Sequence, residues 1–152
     1  IEAEGGTIDK FIGDAVMAFW GAPEEQPDAA ERACRAALAI GGRMAEENRR
    51  KQARGEAPTH IRIGIHSGSA TVGNIDAPGR LNYTIIGDTV NIGQRLERLG
   101  KEIHPDATEV SILISGATAS QLSSAFAPIP AGRHMVKGRH TEIEVFDLQP
   151  AE

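Results

Sequence analysis

Long apolar runs, basic stretches and cysteine are all scarce in this chain. No hydrophobic stretch approaches the roughly 20 residues of a membrane-spanning helix, so no segment reads as inserting directly into a membrane. Against 21 Asp and Glu stand 16 Lys and Arg, for a net charge of −5. Without a basic stripe, that balance argues against a partner that is nucleic acid or an anionic surface. The single cysteine, Cys34, excludes an internal disulfide framework and suits a reducing, cytoplasmic setting. No G-x-x-x-x-G-K-[ST] loop occurs, and "SGSATVG" has no activating His or Asp at a recognisable position, which removes support for a P-loop or serine-hydrolase reading. His60, His66, His104, His134 and His140 show no metal-ligand spacing and read as surface or structural residues.

What remains is an ordinary globular composition, 40% apolar and 24% charged over 152 residues, enough for one domain with its own core. "TIDKFI" and "AVMAFW" read as two strands rich in β-branched and aromatic residues, with Gly13-Asp14 as a tight hairpin turn between them. Alanine-rich sequence over 28–50 predicts an amphipathic helix, weakened in its middle by Gly41-Gly42. Ile61, Ile63 and Ile65 alternate with Arg62, Gly64 and His66, a period-two strand whose glycines suggest bends or another backbone passing close. "LNYTII" is a further strand. The helix after it has Asp88 or Thr89 as candidate N-cap and Ile92, Leu96, Leu99 and Ile103 as its core face. "EVSILIS" is a strand, "GATASQLSS" a short helix, and "EIEVFDL" a last strand. The intermingled order predicts an α+β domain: one antiparallel-rich sheet with helices on one side.

Several polar residues stand out against this frame, and each has a bland reading. Asp14 reads equally as a turn aspartate bonded to local amides, and Lys10 as an edge-strand charge or a snorkelling side chain. Asn91 and Arg95 are one helical turn apart on a face beside the apolar one, where solvated residues are common. Lys137 sits in the turn "VKGR".

Taken together and in order, "GGTIDKFIGDAVMAFWGAP", "RIGIHSGSATVGNI" and "LNYTIIGDTVNIGQRLE" resemble the catalytic domain of the class III nucleotidyl cyclases, in their bacterial adenylate cyclase branch. The similarity runs from about Gly5 to Leu99, with "VKGR…VFDL" as a weaker continuation.

The resemblance implies a ferredoxin-like domain over 1–152 that converts ATP to 3′,5′-cyclic AMP and pyrophosphate with two ions, Mg²⁺ or Mn²⁺. Asp14 matches the second of two metal-holding aspartates. Lys10 matches the lysine that reads the adenine ring, and its place is acidic in guanylate cyclases. Thr84 matches the second purine-reading position, Asn91 the asparagine that positions the ribose, Arg95 the arginine on the reacting phosphates, and Lys137 the lysine on the terminal phosphates. In the family these sites form across a homodimer interface, so Lys10 and Asp14 of one chain would serve different sites. The family's first metal aspartate, in a "D-I-x-G-F-T" strand, is not in this sequence. That implies either a longer parent chain with regulatory domains, in which the first strand and its helices lie upstream, or a reduced relative without them, and in both cases little activity from these residues alone. The rival readings are a guanylate cyclase and a non-catalytic cyclase-like module that binds nucleotide or only dimerises.

Overall fold

The computed structural model describes residues 1–74, 83–136 and 140–150. A hairpin opens the chain, β1 (Thr7–Ile12) and β2 (Ala15–Phe19), with Gly13 at φ 60° turning it as the first of two central residues requires. Then follow α1 (Ala29–Ala53), β3 (Ile61–Ile65), β4 (Thr71–Asn74), β5 (Tyr83–Ile86) and α2 (Asp88–Ile103). The chain closes with β6 (Val110–Ser115), the single-turn α3 (Gly116–Ala119), β7 (Ile129–Met135) and β8 (Glu142–Asp147).

The α+β reading holds, and the arrangement of its strands is more divided than expected. Hydrogen bonding groups them into a four-stranded sheet of order β3-β6-β8-β7 and two separate antiparallel ribbons, β1-β2 and β4-β5. Within the larger sheet β3 runs parallel to β6, and the remaining pairs are antiparallel.

Helices cover both faces of that sheet, not one. Alternation along β6 sends Leu113 toward α2, where it meets Ile92, Leu96, Leu99, Val136 and Val145. Its neighbours Ile112 and Ile114 point the other way, against Cys34 and Ala37 of α1 and Leu148. Each fully buried Leu- or Ile-sized side chain contributes about 1.5–3 kcal/mol, so β6, buried on both faces, is the centre of stability.

Three local details depart from expectation. The residue preceding α2 as its cap is Gly87, at φ 138°, a backbone region in which Asp88 or Thr89 would be strained; the Thr89 hydroxyl instead donates to the Ser69 carbonyl at 2.5 Å. The short helix after β6 stops at Ala119, with Ser115 Oγ accepting from the Thr118 amide at 3.3 Å. Strand β7 was not legible in the sequence, because Pro130 and Gly132 interrupt its pattern. It lies at the sheet edge with an irregular register between Pro130 and Arg133, the place where such residues are tolerated.

Candidate active site

The hairpin, the β4-β5 ribbon and the first turns of α2 meet around a cleft of about 420 Å³. Lys10 and Met17 of the hairpin, Ile85 and Ile86 of β5, and Val90 and Asn91 of α2 form much of its wall. Ile12 and Gly87 complete its apolar part, and Asp88 and Gln94 add polar groups to Lys10 and Asn91. The Lys10 side chain is half-exposed. Asn91 is exposed on the helix start, and its carboxamide has no partner among the described residues, which leaves both its donors and its acceptor available.

Thr84 stands on β5 next to the cleft-lining Ile85. Its hydroxyl donates to Asp9 Oδ2 at 3.2 Å, and the same oxygen lies 3.5 Å from Lys10 Nζ. Three sequence-predicted residues, Lys10, Thr84 and Asn91, are thus brought to one place. Asp9 is the participant that sequence reading missed. The signal was present: two consecutive charged residues in an apolar strand cannot both follow its alternation.

Asp14 and Arg95 lie outside the cleft wall. Asp14 occupies the hairpin tip beside Gly13, exposed, with no hydrogen bond or ion pair among the described residues. Arg95 sits one helical turn after Asn91, and its guanidinium reaches Glu102 at a long 3.5 Å, a contact loose enough to leave its donors free. Lys137 lies outside the described residues.

Among the described residues no group of three or more His, Cys, Asp or Glu converges as a metal cage. Asp14 alone still fits one ligand's share of a Mg²⁺ or Mn²⁺ ion, since Mg²⁺ binds through one or two carboxylates and completes its shell with phosphate oxygens and water.

Three of the histidines are tied into the fold by hydrogen bonds. His60 and His66 bond to Ser111 and Ser115 hydroxyls at 3.1 and 2.7 Å, and His134 bonds the Ala131 carbonyl at 2.9 Å. A second concavity, of about 300 Å³, lies between α1 and the segment before β7, lined by Glu31, Arg35 and Phe126. It holds none of the candidate residues. There the Ser123 amide donates to Glu31 at 2.7 Å and holds its carboxyl below the usual range.

A cleft lined by apolar side chains together with Lys10, Asp88, Asn91 and Gln94 is of the class that takes a small polar ligand. The sequence comparison makes the class specific: residues 5–149 match the profile of the adenylate and guanylate cyclase catalytic domain, and the chain belongs to that family. Adenylate cyclase 1 of Rhizobium meliloti (strain 1021) is 39% identical over 148 residues, covering 97% of this chain and 22% of the relative. Among solved structures, the adenylyl cyclase CyaB from P. aeruginosa superposes with a TM-score of 0.84 at 33% identity, over 99% of this chain and 75% of that one. The guanylyl cyclase Cya2 does so at 0.81 and 28% identity, over 97% and 71%. The chain therefore spans about a fifth of the length of the curated relatives it matches. No helix among the described residues is long and apolar enough to cross a membrane.

Proposed function

We propose that this chain is the catalytic part of an adenylate cyclase, converting ATP to 3′,5′-cyclic AMP and pyrophosphate at a homodimer interface. The observation that carries the reading is the convergence of Lys10 and Asn91 on one cleft with Thr84 beside them. The Lys10 ammonium can only donate, which suits N1 of adenine, an acceptor; guanine carries a hydrogen there and would be mispaired. Leaving a buried polar group unpaired costs about 1–3 kcal/mol, enough for useful discrimination. The Thr84 oxygen faces the 6-amino group, and Asn91 holds the ribose so that its 3′-oxygen stands in line with the α-phosphorus.

In the reaction the 3′-oxygen forms a bond to the α-phosphorus, the bond to the β-phosphate oxygen breaks, and the hydroxyl proton is lost to solvent. Arg95, with its fork of donors, stabilises charge on the reacting phosphates, and Lys137 holds the terminal phosphates. Asp14 is the carboxylate of this chain that would ligate divalent metal, which supplies charge neutralisation on the triphosphate and a lowered pKa for the attacking hydroxyl. Lys10 lines the cleft from β1, whereas Asp14 sits in the hairpin turn outside it. That separation supports a two-fold arrangement in which each serves a different site.

A guanylate cyclase is the second reading, since one close structural neighbour makes that product; Lys10 opposes it. The experiment is conversion of ATP, against GTP, with Mg²⁺ or Mn²⁺ by the full-length natural polypeptide. Cyclic AMP as the main product is the expected result. Preferred formation of cyclic GMP selects the second reading, and no cyclic product from either nucleotide overturns both in favour of a module that binds or dimerises without chemistry.

A further inference from the structure

Asp9 is a buried charge in β1 to which the proposed nucleotide contacts give no role. Successive strand residues point to opposite faces, so Asp9 and Lys10 should diverge. They converge instead, because the register slips between Ile8 and Lys10 and leaves Asp9 as the extra residue of a bulge. Bulges re-aim side chains in this way, and they are over-represented beside active sites. The Asp9 side chain is 0% exposed while Lys10 is 49% exposed, and Asp9 Oδ1 has no partner among the described residues. An enclosed carboxylate with one oxygen unmet opposes folding, and an apolar residue would fill the same strand position with less strain on stability.

The chemistry of the pair explains its presence. A carboxylate only accepts, so the single proton of the Thr84 hydroxyl is committed to Asp9 Oδ2, at 3.2 Å. What Thr84 then offers the cleft is an acceptor. Freed from Asp9, the hydroxyl could rotate and donate equally well, and it would serve the 6-carbonyl of guanine as readily as the 6-amino group of adenine.

We propose that Asp9 is a positioning residue for purine selection: it holds the Thr84 proton and draws the Lys10 ammonium alongside, so that an acceptor and a donor stand together in the order adenine requires. This rests on the adenylate cyclase reading above, and on Thr84 as a purine contact.

The test compares relative kcat/KM for ATP and GTP in the full-length polypeptide. Asp9→Ala and Asp9→Val both remove the acceptor, and the second keeps apolar bulk in the strand should the first fail to fold. Either should lower the ATP/GTP ratio about tenfold, the scale of one hydrogen bond to a buried group. Asp9→Asn retains an acceptor oxygen and should keep the ratio within about threefold. In a Thr84→Val background, Asp9→Val should change the ratio no further, because its effect passes through the hydroxyl. A purely structural role would lower activity on both nucleotides together and leave the ratio unmoved; that result, beside a ratio that does fall in Thr84→Val, overturns the role of Asp9 alone. A ratio unmoved by Thr84→Val overturns Thr84 as a purine contact, and absence of any cyclic product from the unaltered protein overturns the cyclase reading; either takes this proposal with it.

Discussion

Gly64 of β3 lies against the backbone of α2, where a Cβ added to it would overlap the Gly93 carbonyl, the Glu97 amide and, at 2.8 Å, the Leu96 Cβ. Strand and helix therefore touch main chain to main chain, and this contact sets how α2 rests on the sheet. Two of those three neighbours are backbone atoms and cannot swing aside. Gly64→Ala should destabilise by about 2–3 kcal/mol, at the upper end of overpacking effects, which for a domain of this size is a fall in melting temperature of roughly 5–10 °C. Since α2 carries Asn91 and Arg95, activity should fall with it. The control is Gly42→Ala in the middle of α1, where the added methyl meets nothing within 4 Å. There the better helix propensity of alanine should raise stability by about 0.5–1 kcal/mol. Thermal unfolding of both variants checks the contrast.

That contact was half legible in the sequence. A glycine in an alternating isoleucine strand signals close approach, but nothing local names the partner. The core face of helix α2 was readable, though its cap was not, because Ile92, Leu96 and Leu99 keep helical spacing and all three are buried. Asp9 was missed for the opposite reason: its bulge depends on pairing with β2, and two adjacent charges signal a break in the alternation without saying which of them turns inward. The division into three sheets depends on which strands lie side by side, which no short pattern encodes. Of the site, the residue types and their order were visible. Their convergence on one cleft required the fold, since Lys10 and Asn91 come from the first hairpin and the fifth strand's following helix.

Asp14 makes no contact among the described residues that would hold the fold together. Asp14→Ala should leave the melting temperature within about 1 °C, as surface substitutions away from structural features do. In the full-length polypeptide the proposed metal role of Asp14 nonetheless predicts loss of cyclic AMP formation. Loss of product with a preserved melting curve assigns the residue to chemistry. Retained product shows that the ion is held without it.

Cys34 is 0% exposed in the layer between α1 and β6, and burial pushes its thiol up to about 12. A thiol that stays protonated and enclosed does not react. Alkylation by iodoacetamide at pH 8 should therefore be slow in the folded 152-residue chain and should rise steeply on adding denaturant. The labelling rate then reports opening of the α1–β6 layer. Rapid labelling without denaturant would place α1 away from the sheet.

Purine choice can be pressed further at Lys10. Lys10→Glu with Thr84→Cys replaces a donor at N1 by an acceptor and removes the hydroxyl acceptor, and should move relative kcat/KM from ATP toward GTP. Unchanged relative values would dismiss both assigned roles. The structure adds a second expectation. Lys10 Nζ is the one cation beside the enclosed Asp9 carboxylate among the described residues, at 3.5 Å, and Thr84 is that carboxylate's hydrogen-bond donor. The double substitution removes both and sets a second carboxylate nearby, so it should also lower the melting temperature by several degrees, the repulsion adding to an unmet buried charge. Adding Asp9→Asn relieves the repulsion while keeping the shape of the side chain. The triple variant should recover most of the lost stability and retain the preference for GTP. If stability does not return, the penalty lies in the strand and not in the charge pair.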